Sequence, residues 1–127
     1  MEKMNCKKSK LPNFDGNIIL IFPKEVVPSQ IATIFSKDME IQTYDNMFEL
    51  SYVEVKNFCS WEVNDLLTKL FSQCNFEVLS FVRNQFNAKI VVDIAFYHYD
   101  KYPSLLFEGK NMEIIHMLEA DISIDAY

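Results

Sequence analysis

The segment KIVVDIAFYHY at residues 89–99, with NMEIIHMLEA at 111–120 and DISIDAY at 121–127, decides the fold class of this chain. In the first segment apolar residues alternate with polar ones, and this period of two predicts a long, half-buried strand. The last segment repeats the alternation over a shorter stretch, and a helical segment separates the two. Two strands joined through a helix form a crossover unit, so we expect them to pair in parallel or to lie one strand apart in one sheet.

The upstream part of the chain adds strands and helices in mixed order. NIILIF at 17–22 is a continuous apolar run, which is typical of a central strand, and Pro28 begins a helix that ends near residues 37–38. Residues 39–45 predict a short strand or extended segment. Residues 47–56 predict a strand near an edge of the sheet, because neither of its faces is purely apolar.

Two more helices follow, and together the elements predict an α+β fold. Ser60 is a favourable N-cap for an amphipathic helix whose apolar residues have helical spacing: Val63, Leu66, Leu67, Leu70 and Phe71. Residues 76–86, FEVLSFVRNQF, fit either a helix or a strand, and we favour the helix. We expect a single mixed or antiparallel sheet of four to five strands with helices packed mainly on one face, as a variant of the ferredoxin-like architecture.

Length and composition fit one folded domain preceded by a basic arm. Of the 127 residues, 50% are hydrophobic and 14% are aromatic, which is ample for a packed core. Pro12 and the turn signal Asp15-Gly16 lead into the domain. We therefore expect residues 1–16 to form a flexible basic N-terminal arm and residues 17–127 to form a single α+β domain.

The formal net charge of −6 is unevenly distributed. Four of the twelve basic residues lie within the first ten positions, whereas the chain from Leu11 onward has 17 acidic and 8 basic residues and a formal charge of −9. Such a body repels phosphate backbones and attracts basic partners, so we expect a protein partner and no nucleic acid. The alternative is that the acidity only keeps the domain soluble.

The N-terminus and the cysteines predict a cytoplasmic protein. MEKMNCKKSK is polar and basic, unlike a secretory signal, and no apolar run is long enough to span a bilayer. Cys6, Cys59 and Cys74 are odd in number and have no metal-ligand spacing, so we expect reduced thiols. We expect no membrane contact, and a monomer or weak dimer.

No motif in the sequence predicts catalysis, a metal or a cofactor. His98 and His116 have no ligand spacing to a cysteine or a carboxylate, and two glycines are too few for a glycine-rich phosphate-binding loop. Carboxylates are so plentiful that a close pair of them would prove nothing. We therefore predict that the protein is not an enzyme and uses no metal or cofactor.

One acidic, tyrosine-rich surface near the C-terminus is a candidate for binding a partner. Tyrosine supplies contact area at low entropic cost, and acidic residues attract a basic partner. The alternative is an ordinary solvated sheet edge and loop. The candidate partner-binding residues are Asp93, Tyr97, Tyr99, Asp100, Tyr102, Glu119, Asp121 and Asp125.

Three segments carry a resemblance to a known family. NIILIFPKEVVPSQIATIF at 17–35 is a strand followed by a proline-led helix, and CSWEVNDLLTKLF at 59–71 is a Ser-Trp step into an amphipathic helix. MEIIHMLEADISIDAY at 112–127 ends in an Ile-Asp-Ala-Tyr tail. In these features the chain resembles the bacterial family called domain of unknown function 4279. It departs from that family at KDMEIQTYDN, residues 37–46, where members have a Leu-Gly-x-x-Pro-type turn.

The resemblance implies a small cytoplasmic immunity protein, encoded beside the toxin of a contact-dependent or polymorphic toxin system. Such a protein neutralises its toxin by covering the active site or a nearby surface. Many of these toxins are basic nucleases, which an acidic body attracts. The alternative is a regulatory or small-ligand-binding module with a pocket between helices and sheet, lined by His98, Tyr52 and Cys59.

Overall fold

Five strands form one mixed sheet in the order β2-β3-β1-β4-β5. In the computed structural model, which describes residues 6–35, 41–43 and 47–127, the strands are β1 (Asn13–Pro23), β2 (Ile41–Thr43), β3 (Met47–Cys59), β4 (Lys89–Tyr97) and β5 (Asp121–Ala126). The helices of this part of the chain are α1 (Cys6–Ser9), α2 (Pro28–Ala32), α3 (Val63–Phe71), α4 (Phe76–Phe86) and α5 (Gly109–Leu118).

The pairing of the strands confirms the predicted α+β class. The pairs β2/β3, β3/β1 and β1/β4 are antiparallel, and β4 pairs with β5 in parallel through the crossover helix α5. The first four strands have the order and the antiparallel pairing of a ferredoxin-like βαββαβ sheet. The fifth strand extends this sheet at the β4 edge.

The helices α2 to α5 cover one face of the sheet. Buried residues alternate with more exposed ones along β1 and β4, and the buried ones include Ile18, Leu20, Ile90 and Val92. These strand residues join buried residues of all four helices in one hydrophobic cluster. The opposite side of the sheet, which we call the open face, carries the alternate strand residues.

Caps at both ends explain why residues 76–86 form a helix, as favoured above. The Asn75 side chain accepts a hydrogen bond from the Val78 N–H at 3.2 Å, which is an N-cap interaction. Asn87 has a left-handed backbone with φ of 55°, a conformation that ends helices and that asparagine tolerates better than most residues. Ser60 is not the N-cap of α3 as expected, because the helix begins at Val63 and its N-cap is Glu62. The Ser60 Oγ instead accepts from the Glu62 N–H and donates to Asp65.

The N-terminal boundary of the fold lies earlier than the sequence indicates. Residues 1–16 were expected to be a flexible arm, but β1 begins at Asn13 and the Phe14 side chain is fully buried. Before β1, residues Cys6–Ser9 form α1. The continuation of β1 past Gly16 accounts for the difference, because Asp15-Gly16 lies inside the strand instead of forming a turn. Residues 1–5 lie outside the described residues.

Three smaller boundaries also differ. The strand β3 lies near an edge as expected, next to the edge strand β2, which pairs with Phe48, Glu49 and Leu50, but it continues past the expected residue 56 to Cys59. α2 ends at Ala32, short of the expected residues 37–38. Of the segment expected at 39–45, residues 41–43 form β2, and the rest lies outside the described residues.

Two of the three cysteines form a disulfide bond, so the expectation of three reduced thiols is wrong. Cys6 and Cys59 are bonded, with their Cα atoms 5.4 Å apart and a sequence separation of 53. The chain folds α1 back against the end of β3, a long-range contact that no local cysteine spacing predicts. Cys74 retains its thiol.

Within the described residues, every helix is too short or too polar to cross a membrane.

Candidate partner-binding surface

The open face of the sheet carries more acidic than basic side chains. Paired residues on neighbouring strands point to the same face, so the strand register assigns each side chain. Together with the lining of a shallow depression, the register places six acids and two lysines on this face, a formal charge of −4: Asp15, Glu49, Glu54, Asp93, Asp121, Asp125, Lys56 and Lys89.

A polar row crosses four strands at the middle of the open face. Asp93 of β4 lies between Asn17 of β1 and Ser123 of β5, and Asn17 pairs in turn with Glu54 of β3. The Ser51 Oγ donates a hydrogen bond to Asn17 Oδ1 at 2.8 Å, which fixes the amide in place. A depression of about 140 Å³ lies along this row. Asp93 therefore has a central and half-buried position.

Apolar side chains flank the polar row. Ile19 and Val91 are paired neighbours on one side of it, and Ala95 lies on the other side. All three are half-buried, so their surfaces remain partly accessible on the open face. These side chains supply accessible apolar area on a face that is otherwise mostly polar and charged.

A bulge in β3 holds Asp15 at the edge of this surface. Asn57 has a left-handed backbone with φ of 56°, and its N–H donates to Asp15 Oδ1 at 2.9 Å. This hydrogen bond satisfies an amide that the bulge removes from the strand ladder. Asp15 therefore has a structural role as well as a charge on the open face.

Four of the eight candidate residues lie on the open face. Asp93, Tyr97, Asp121 and Asp125 are placed there by the pairing of β4 with β1 and β5. The Tyr97 ring stacks on the Tyr127 ring with centroids 5.1 Å apart, so an aromatic pair closes one end of the face. Asp121 forms an ion pair with Lys89 at 2.9 Å, which partly offsets its charge.

The other four candidate residues lie off this face. Tyr99, Asp100 and Tyr102 belong to the loop after β4, where the Tyr102 ring packs beside His98 at a centroid distance of 4.2 Å. Asp100 pairs with Lys10 at 3.6 Å. Glu119 follows α5 at the opposite end of β5 from Asp125, and it pairs with Arg83 at 2.8 Å. The eight residues therefore do not form one continuous surface.

The sequence did not single out several residues that the fold exposes. Asp15, Asn17 and Glu54 lie far from the C-terminal segment in sequence and reach Asp93 only through strand pairing. Trp61 and Leu106 are also exposed, with 43% and 59% of their surface accessible. They lie where backbone hydrogen bonds of Ser104 attach the loop after β4 to the start of α3. The Ser-Trp step is visible in the sequence, but its exposure is not.

A cleft of about 630 Å³ lies on the helical side of the molecule, between α3, the start of α4 and the start of α5. Its apolar walls include Phe71, Phe76 and Ile114. Asn111, only 6% exposed, donates through Nδ2 to the carbonyl and the side chain of Asn64. The pocket expected around His98, Tyr52 and Cys59 is a different place, and none of these three residues lines the cleft.

Within the described part of the chain, no three side chains of His, Cys, Asp or Glu gather in a way that would hold a metal ion. His98 lies at the end of the sheet among aromatic rings, next to Phe96 and Tyr102. Tyr52 has a structural partner, since its hydroxyl accepts a hydrogen bond from the Asn75 N–H at 2.9 Å.

No family model, curated protein or solved structure matches this chain. The resemblance to the domain of unknown function 4279 therefore stays a prediction based on the three quoted segments. Conclusions about function depend on the site geometry described above.

Proposed function

We propose that this protein is a cytoplasmic immunity protein that neutralises a basic bacterial toxin domain by binding it on the open face of the sheet. The observation that supports the proposal is a sheet face, left open by α2 to α5, with six acids and two lysines. Such a face fits a basic protein partner. The toxin as partner rests on the family resemblance.

The arrangement of the open face suits inhibition by covering a surface. Its carboxylates are carried on paired strands, so the backbone beneath them is ordered before the partner arrives and only their side chains lose conformational freedom on binding. Acidic residues accelerate encounter with a basic domain, and the half-buried Ile19, Val91 and Ala95 supply apolar contact once it has docked. No chemical step by this protein is required for such inhibition.

Co-expression with the neighbouring gene tests this proposal. The C-terminal domain of the upstream reading frame is expressed under tight control, alone and together with this protein. We expect growth arrest alone, and rescue with a stoichiometric complex on co-expression. The variant Asp93→Lys should rescue less well, whereas Glu113→Lys on the exposed side of α5 should rescue like the wild type. A non-toxic neighbour, or toxicity that co-expression leaves unchanged, would contradict the immunity role.

The cleft on the helical side supports a second candidate function, the binding of a small ligand. The backbone carbonyl of Asn64 can only accept a hydrogen bond, so the Asn111 amide nitrogen must face it. In the described residues the Asn111 Oδ1 has no donor, which leaves an acceptor beside the rings of Phe71 and Phe76. An amine with an aromatic body fits this combination.

A titration with tyramine distinguishes this candidate from the first. We expect tyramine to shift the side-chain amide signals of Asn64 and Asn111 in NMR spectra, and 3-(4-hydroxyphenyl)propionate, which has a carboxylate in place of the amine, to leave them unchanged. Equal response to both compounds, or to neither, would remove the small-ligand function from consideration.

A further inference from the structure

The short helix α1 lies on the open face of the sheet, unlike the other four helices. Cys59 pairs with Asn13 across the β3/β1 ladder, and its neighbour Phe58 pairs with the buried Phe14 on the covered face. Because successive residues of a strand point to opposite faces, the Cys59 side chain points to the open face. Cys6 is bonded to it and is itself buried, yet it lies outside the main hydrophobic cluster.

α1 therefore occupies the end of the open face where Tyr97 is located. Asn13 pairs with Cys59 on one side and with Tyr97 on the other, so these three residues form one row across the sheet. Two backbone hydrogen bonds close the turn after the helix, from the N–H groups of Lys10 and Leu11.

This segment is basic, and the next row of the open face carries two acids, Asp15 and Asp125. Lysines occupy positions 7, 8 and 10, and Lys10 forms an ion pair with Asp100 at 3.6 Å. Both groups of that pair are largely exposed, so the ion pair alone contributes little and the disulfide is what fixes the segment. The basic segment that contains α1 thus lies at one end of the face that we assign to a basic partner.

We propose that α1 is an internal occupant of the partner-binding face, and that reduction of the Cys6–Cys59 disulfide releases it to make room for the partner. The inference rests on the proposed function, because it assigns the same open face to an external basic protein. In the oxidised protein α1 competes with the partner at the Tyr97 end of the face. In the reduced protein that end is free to bind.

The redox step is an ordinary thiol–disulfide exchange. Two thiols of a reductant, such as dithiothreitol in vitro or glutathione in a cell, break the S–S bond. Cys6 and Cys59 each end as a thiol with a proton, and the two sulfurs of the reductant end joined as a disulfide. A reducing cytoplasm keeps such cysteines reduced, so a cytoplasmic form would be the one able to bind.

A binding titration with a basic probe tests the inference. Fluorescein-labelled decalysine is titrated against the oxidised protein, the protein reduced with dithiothreitol, and the variants Cys6→Ser and Cys59→Ser. After reduction only residues 10–12 of the chain hold α1 near the sheet, so its effective concentration at the face falls and we expect probe binding to tighten by roughly three- to tenfold. Both variants should match the reduced protein and should not respond to the reductant, and Cys74→Ser should respond like the wild type.

The titration separates failure of the disulfide switch from failure of the proposed binding face. Thiol titration must first give one reactive thiol before reduction and three after it; three from the start would overturn the inference. Circular dichroism verifies that every sample is folded. Equal, measurable binding to the oxidised and the reduced protein would also overturn the inference, but it would not contradict the proposed face. If the probe bound neither form, or if Asp93→Lys left its binding to the reduced protein unchanged, the proposed face itself would be wrong.

Discussion

At the scale of single residues, Gly16 decides how closely α3 approaches the sheet. A Cβ atom at this position would lie 2.8 Å from Leu70 Cδ1 and 3.1 Å from the Cδ atoms of Leu66. The sequence pattern Asp15-Gly16 favoured a turn, because these two residues are common in turns. A glycine inside a strand instead marks close approach of a neighbouring element, and only the packed structure distinguishes the two cases.

The substitution Gly16→Ala tests this contact. The added methyl group must displace two fully buried leucine side chains, so we expect a loss of about 1–2 kcal/mol in the free energy of unfolding. Urea denaturation followed by circular dichroism measures the change. The control is Gly109→Ala, where no atom lies within 4 Å of the new methyl group and the cost comes only from a backbone with φ of +52°. Unchanged stability of Gly16→Ala would show that α3 can move away from β1 without cost.

At the scale of the elements, sequence periodicity predicted most of the strands and helices. Alternation found β4 and β5, and helical spacing found α3, because each of these elements has one buried and one exposed side. α1 was not predicted, since four residues are too few for a periodic pattern and its position depends on a disulfide to Cys59. The proximity of cross-strand neighbours such as Asp93 and Asn17 was not predicted either, because it depends on the strand register.

The contact between α3 and α5 depends on one buried amide. Asn111 Nδ2 lies 3.0 Å from the Asn64 carbonyl oxygen and 3.0 Å from Thr68 Oγ1. The substitution Asn111→Ala removes these hydrogen bonds between the two helices, although the Asn64 carbonyl keeps the Thr68 hydroxyl as a donor, so we expect a loss of about 1–2 kcal/mol in the free energy of unfolding. Urea denaturation measures this value. Thr68→Val is the milder comparison. Thr68 is exposed, and the Asn64 carbonyl loses the Thr68 hydroxyl but keeps the Asn111 amide as a donor. Equal stability of Asn111→Ala and the wild type would mean that α3 and α5 are held by apolar contacts alone.

At the scale of the whole molecule, the disulfide links the N-terminal segment to the end of β3. Closing a loop of 53 residues lowers the entropy of the unfolded chain, and the loop-entropy model gives about 4 kcal/mol for this length. We therefore expect dithiothreitol to lower the midpoint of urea unfolding of the wild type, with no effect on Cys6→Ser. If the reductant leaves the midpoint of the wild type unchanged, the N-terminal segment is not covalently fastened in the folded protein.

The charge of the whole molecule predicts a basic partner but not where that partner binds. The acidic body predicted a basic partner, and four of the eight candidate residues lie on the open face. The remaining four were grouped with them by sequence proximity, whereas the fold places them in the loop after β4 and beside Arg83. Only strand order and pairing show which acids share a face.

The assignment of the open face is tested by the binding of charge-reversed variants to the C-terminal domain of the upstream reading frame, which is the proposed toxin. Association and dissociation rates are measured for Asp93→Lys, Asp125→Lys and the helix-side control Glu113→Lys, all with the protein reduced. We expect both open-face variants to bind about tenfold more weakly or worse, mainly through slower association. The control should bind like the wild type. Wild-type binding by both open-face variants, or an equal loss in the control, would contradict the assignment of the open face as the binding surface.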